Sequence, residues 1–153
     1  MLERFLTFLD GLGGGAKTAP ANSEQLAATA LMFAVMDADG VRKDAEFAKL
    51  QDMVSEKYGL AGPALSALVG QAQDAEAESV DLYQFTSTIV KLEEADRLQL
   101  ITLLWEVVYA DGELHEMEET VVWRIAELIG VSPRDRVEAR QRVAARAKGP
   151  QNV

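Results

Sequence analysis

Apolar residues recur along this chain at intervals of three and four far more often than at alternate positions, a periodicity that predicts helices almost throughout. In residues 23–37, Leu26, Ala27, Ala30, Leu31, Phe33, Ala34 and Val35 leave almost no polar face. A helix apolar on every side belongs in a core. Residues 98–109 have the same character, so these two helices are expected to pack together at the centre. Amphipathic patterns predict surrounding helices over about 43–58, 63–74, 80–94, 114–129 and 133–147. The most strand-like stretch, residues 80–90, reads equally well as a helix with Leu82, Phe85, Ile89 and Leu92 on one side. The expected fold is all-α, a single-domain helical bundle of about seven helices.

Local punctuation agrees with this reading. Ser23, followed by Glu24, is a plausible N-terminal cap, Gly59 and Gly130 suit helix C-termini, and Pro63 and Pro133 suit first turns. Residues 1–9 place Leu2, Phe5, Leu6 and Leu9 at helical spacing, and Gly11, Gly13 to Gly15 and Pro20 follow. Residues 1–22 thus read as a short helix on a glycine-rich linker, ahead of a domain over 23–148. Docking of that helix on the domain is the plain expectation. The alternative is weak contact with a membrane surface or a partner through residues 1–12, although one Arg and two acids give anionic lipid little to attract.

The chain also resembles itself. Ala38-Asp39-Gly40 and Ala110-Asp111-Gly112 lie 72 residues apart, each closing an apolar helical run and preceding a helix with an acidic start. Leu31 to Gly40 and Leu103 to Gly112 align with Phe33 opposite Trp105, and Glu46 and Glu118 stand six residues beyond the two glycines. An internal duplication is expected, with repeats over residues 24–95 and 96–147.

Composition narrows the function classes. A net charge of −10 argues against a nucleic-acid partner, which would need a basic footprint. The absence of cysteine removes disulfides, thiolate metal sites and cysteine nucleophiles, and suits the cytoplasm. No apolar run reaches the roughly 18 residues of a membrane span, and Glu3, Arg4 and Asp10 break up any secretory h-region. Residues 134–148 hold six basic and two acidic side chains. That run reads as a solvated helix face or, alternatively, as a surface for an acidic protein partner or another copy of the chain.

Candidate chemistry gathers at the two acidic turns. Asp39 and Asp111 sit where a helix exposes unpaired carbonyls and the negative end of its dipole, an unfavourable place for an anion by a few tenths to about 1 kcal/mol. Carboxylates beside such carbonyls are what a hard cation wants, so a divalent ion would relieve both problems. Glu46 and Glu118, in the first turn of the following helix, are within reach of the same turns. Their alternative role is to cap their own helices, where a third-position Glu is common, although the cap residues would be Lys43 and His115. An EF-hand is rejected, since its first ligand position would fall on Val35 or Val107. His115, the only histidine, reads as a solvated or capping residue, and without a second imidazole Ca²⁺ or Mg²⁺ is preferred to Zn²⁺. No phosphate loop, nucleophile elbow or Ser-His-Asp arrangement is present, and no enzyme is expected.

The segment Val107 to Ser132, VVYADGELHEMEETVVWRIAELIGVS, resembles the signature of the TerB-like family, named for a tellurite-resistance protein. The resemblance is looser around residues 33–60, where Val41 stands in place of the Glu found at Glu113 and Lys43 in place of a small polar residue. It implies an all-helical, internally duplicated domain of the bacterial cytoplasm, associated with tellurite or chemical-stress resistance and with binding of divalent cations through acidic residues. On matching positions the ligands would be Asp39, Glu46, Asp111 and Glu118, with Glu113 in support. The alternative function is a helical adaptor whose acidic turns are purely structural and which recruits a protein partner or a second copy.

Overall fold

The computed structural model describes residues 22–148. Seven helices are found among them: α1 (Ser23–Met36), α2 (Asp44–Tyr58), α3 (Gly62–Glu78), α4 (Tyr83–Ile89), α5 (Glu94–Val108), α6 (Glu116–Leu128) and α7 (Pro133–Lys148). There is no strand among the described residues, and no helix is long and apolar enough to cross a membrane. The helix expected over residues 1–9 and its linker lie outside the described residues.

The apolar content of α1 dictates its place. Every residue from Ala27 to Met36 is buried, and the helix packs against α2, α3, α4, α5 and α6. Its start is capped by Asn22 rather than Ser23. The Asn22 Oδ1 accepts the amides of Glu24 at 2.8 Å and Gln25 at 3.2 Å, which leaves Ser23 as the first helical residue. Helix α5 lies against α1 and also contacts α2, α6 and α7, so the two apolar helices meet as expected. Around them, α1 packs on α6 and α5 on α2, a crossed arrangement of the two halves.

Three further expectations change. Helix α5 begins at Glu94, earlier than the apolar run, and it keeps a polar side where Glu106 meets Lys49 and Arg146. The single helix expected over residues 80–94 is broken: α4 spans only Tyr83–Ile89, with Asp81 Oδ1 accepting the Tyr83 amide at 2.9 Å. Thr86, Thr88, Ile89 and Val90 lose side-chain freedom in a helix, which weakens its propagation. The basic run of α7 is also less solvated than its charge suggests. Arg136 donates to the Val131 carbonyl and lies over Trp123, Arg140 donates to the Tyr109 hydroxyl and lies over Trp105, and Arg146 pairs with Glu106.

One turn locks the second half. Gly130 has φ +77° just past α6, and the Arg97 guanidinium donates at 2.8 Å to the Ile129 carbonyl beside it, placing positive charge at the negative end of α6. A Cβ at Gly130 would lie 3.3 Å from Arg97 Nη1. Gly130→Ala combines that crowding with the left-handed backbone, and a loss of about 1–2 kcal/mol is expected in urea denaturation. An unchanged midpoint would show that the turn relaxes without cost.

Candidate cation site

The two acidic turns are built bond for bond alike. At the end of α1 the amides of Asp37, Ala38 and Gly40 bond the carbonyls of Phe33, Val35 and Asp37 at 2.9, 3.2 and 3.0 Å. At the end of α5 the amides of Tyr109, Ala110 and Gly112 bond those of Trp105, Val107 and Tyr109 at 3.0, 3.2 and 2.9 Å. Gly40 and Gly112 then turn the chain with φ +78° and +81°, a backbone that glycine adopts without penalty. Asp39 Oδ1 accepts the Val41 amide, and Asp111 Oδ1 the Glu113 amide, both at 3.0 Å. The second oxygen of each aspartate takes a basic group four residues on, Lys43 Nζ at 2.8 Å from Asp39 Oδ2 and His115 Nε2 at 2.8 Å from Asp111 Oδ2.

These contacts answer the question of an anion at a helix C-terminus. The Lys43 bond, with the Val41 amide, holds Asp39 below the ordinary carboxylate range. Burial works to raise Asp111, but the His115 bond and the Glu113 amide outweigh it and leave the group lowered as well. Lys43 is raised in turn, chiefly by its bond to Asp39.

The glutamates do something else. Each is the third residue of its helix, the position from which a capping box would reach back. Neither does so: Lys43 and His115 stand at the cap positions without side-chain cap bonds, and Glu46 and Glu118 turn inward until both are fully buried. No N–H donor reaches either Glu46 oxygen or Glu118 Oε1; the two buried carboxyls lie within hydrogen-bonding reach of each other. Glu118 Oε2 lies 3.5 Å from Lys43 Nζ. Burial, followed by the neighbouring Glu118 carboxyl, pushes Glu46 up to about 9. Burial raises Glu118 too, against the pull of Lys43. Two acids sharing one dry site cannot both ionise cheaply, so Glu46 keeps its proton near neutrality.

The halves are crossed at this point. Lys43 of the first turn reaches Glu118 of the second half, whereas Asp111 and His115 of the second turn gather with Glu46 of the first. One ligand atom from each of Glu46, Asp111 and His115 lies within 4.8 Å of the others, close enough to surround one ion. An open cleft of about 570 Å³ borders Asp111 and leads to solvent.

The five residues proposed from sequence thus take different places. Glu46 and Asp111 meet at one cluster, Asp39 and Glu118 meet through Lys43, and Glu113 is exposed, contributing its amide to Asp111. His115, read from sequence as a capping or solvated residue, supplies an imidazole to the cluster. The signal for it was the shared spacing of Asp39 to Lys43 and of Asp111 to His115, which puts a basic side chain onto the aspartate across each glycine turn.

Residues 25–141, more than half of the chain, match the model of a family described as tellurite resistance protein TerB. No curated protein and no solved structure matches the chain.

Proposed function

This chain belongs to the TerB family, and on that premise we propose that it is a non-enzymatic, cytoplasmic stress-response module that binds a divalent cation through Glu46, Asp111 and His115. The observation that carries the reading is Glu46, a fully buried carboxyl that receives no N–H donor and faces a second buried carboxyl, Glu118, set beside an aspartate and an imidazole. A buried polar group left short of partners costs about 1–3 kcal/mol, and a cation would supply the missing partner. The 2.8 Å between Asp111 Oδ2 and His115 Nε2 suits a hydrogen bond. It also approaches the separation of two ligands that each stand roughly 2.0–2.2 Å from one ion.

The imidazole alters the choice of ion. Carboxylates alone favour Ca²⁺ or Mg²⁺, whereas two carboxylates with a histidine nitrogen suit Mn²⁺ or Zn²⁺. A bound ion would supply a fixed positive charge, which would displace the Glu46 proton so that Glu46 and Asp111 face it as carboxylates. Titration calorimetry with Mn²⁺, Zn²⁺, Ca²⁺ and Mg²⁺ tests this. Saturable binding is expected, tightest for one of the first two ions, and weakened at least about tenfold by Asp111→Asn or Glu46→Gln. Absence of saturable binding to the unmutated protein would sink the proposal.

A helical adaptor is the second reading. In its favour, Asp39 and Asp111 are already fully engaged by the amides and basic side chains of their own turns. A protein that binds none of the four ions but retains its fold would support it.

A further inference from the structure

We infer that the space between Asp39 and Glu118 is a second cation site, filled by the ammonium of Lys43, so that the protein takes up one divalent ion where its two turns provide places for two. The inference rests on the cation reading of the Glu46, Asp111 and His115 cluster, and its own observations lie around Lys43, on the far side of the paired Glu46 and Glu118 carboxyls. Lys43 Nζ is 2.8 Å from Asp39 Oδ2, 3.3 Å from the Val41 carbonyl and 3.5 Å from Glu118 Oε2. An ammonium has three N–H donors, and here three oxygens face it. Two carboxylates and a main-chain carbonyl are also the donors that a hard divalent cation selects.

The correspondence with the other cluster is residue for residue. Asp39, Lys43 and Glu118 stand as Asp111, His115 and Glu46 do, with an aspartate bonded at 2.8 Å to the residue four positions on and a fully buried glutamate arriving from the opposite half. The chemical difference is at the fourth residue past each aspartate. An imidazole can lend an electron pair to a metal, whereas an ammonium brings a charge of its own and has no pair to lend. Glu118 Oε1 receives no N–H donor and the carboxyl is shared with Glu46, so the tethered charge engages Glu118 only through Oε2. A divalent ion could take the place of the Nζ only by displacing the ammonium from all three oxygens, which an intact Lys43 resists.

The test counts bound ions. Mn²⁺ is titrated into the native protein, Lys43→His and Lys43→Ser, with free Mn²⁺ read from its electron paramagnetic resonance signal and folding followed by far-UV circular dichroism. One bound ion is expected for the native protein and two for Lys43→His, which reproduces the Asp111 and His115 pattern in the first turn. Lys43→Ser, which removes the ammonium and adds no nitrogen ligand, should bind a second ion more weakly. If a variant is unfolded without metal, Mn²⁺ should restore its helical signal. Equal ion counts in the native protein and both variants would overturn the inference, as would two ions in the native protein or failure of Mn²⁺ to fold the variants. No ion in the native protein with one in Lys43→His would uphold the inference and reject the cation reading of the His115 cluster. One ion in all three proteins would do the reverse.

Discussion

Glu46→Gln is expected to stabilise the ion-free protein while weakening its cation binding. The amide keeps the shape of the neutral acid that the folded state prefers, but it cannot ionise for a metal. In the unfolded chain Glu46 loses its proton near its ordinary value of 4.5, whereas the folded protein holds that proton to about 9. Between those values the unfolded state binds fewer protons than the folded one, so stability falls as pH rises through the interval and is fully retained below it. Glu118, also raised, acts in the same direction. Asp39 and Asp111, both lowered, act in the opposite one, costing stability only as pH falls through the acid range below their ordinary value of 3.8. Thermal melts of the ion-free native protein should therefore decline from about pH 5 to about pH 8, and Glu46→Gln should flatten much of that slope. At about pH 8 the variant should gain about 1–3 kcal/mol, or ~3–10 °C. With saturating Mn²⁺ the order should invert, because the native protein gains more from the ion. A Glu46→Gln protein less stable than native at high pH in chelator would show that the carboxylate is ionised and paired in the folded state.

What could be read beforehand follows from how local each determinant is. The buried α1, the glycine turns at Gly40 and Gly112, and the caps at Gly59 and Gly130 depend on neighbouring residues and were legible in the pattern. The break after Ile89 was not, because Leu82, Phe85, Ile89 and Leu92 keep helical spacing across it and only the bonding of Asp81 and the threonine-rich segment betray the interruption. At the site, Asp39, Glu46, Asp111 and Glu118 stood out by repetition. Their partners did not, since repetition suggests that each glutamate serves its own turn, and in fact it serves the other. That exchange depends on how α2 and α6 enter the bundle across α5 and α1. Lys43 and His115 were considered only as cap positions, whereas their side chains are committed to the aspartates behind them.

Trp105→Ala should give the largest loss of stability. The indole is fully buried, meets Trp123 edge-on at 5.8 Å between ring centroids, and lies beneath Arg140. Removing it empties space among α5, α6 and α7 that surrounding side chains cannot refill, and about 3–5 kcal/mol is expected. That is a large share of the roughly 5–15 kcal/mol typical of a domain. Urea denaturation followed by circular dichroism measures it. Trp123→Ala, at a half-buried ring, should cost less than half as much, and comparable losses for the two would mean that the aromatic pair fails as a unit. Because α5 leads directly into the Asp111 turn, Trp105→Ala should also weaken Mn²⁺ binding, whereas Trp123→Ala should leave it near native.

The exchange of glutamates between halves has a consequence for the order of events during synthesis. Lys43 and Glu118 are separated by 75 positions along the chain, and Glu46 must likewise wait for Asp111 and His115 to leave the ribosome. A nascent first half holds a complete aspartate turn and no finished site. On the proposed cation reading, an ion could be held at the Glu46 cluster only once both halves have been made and joined.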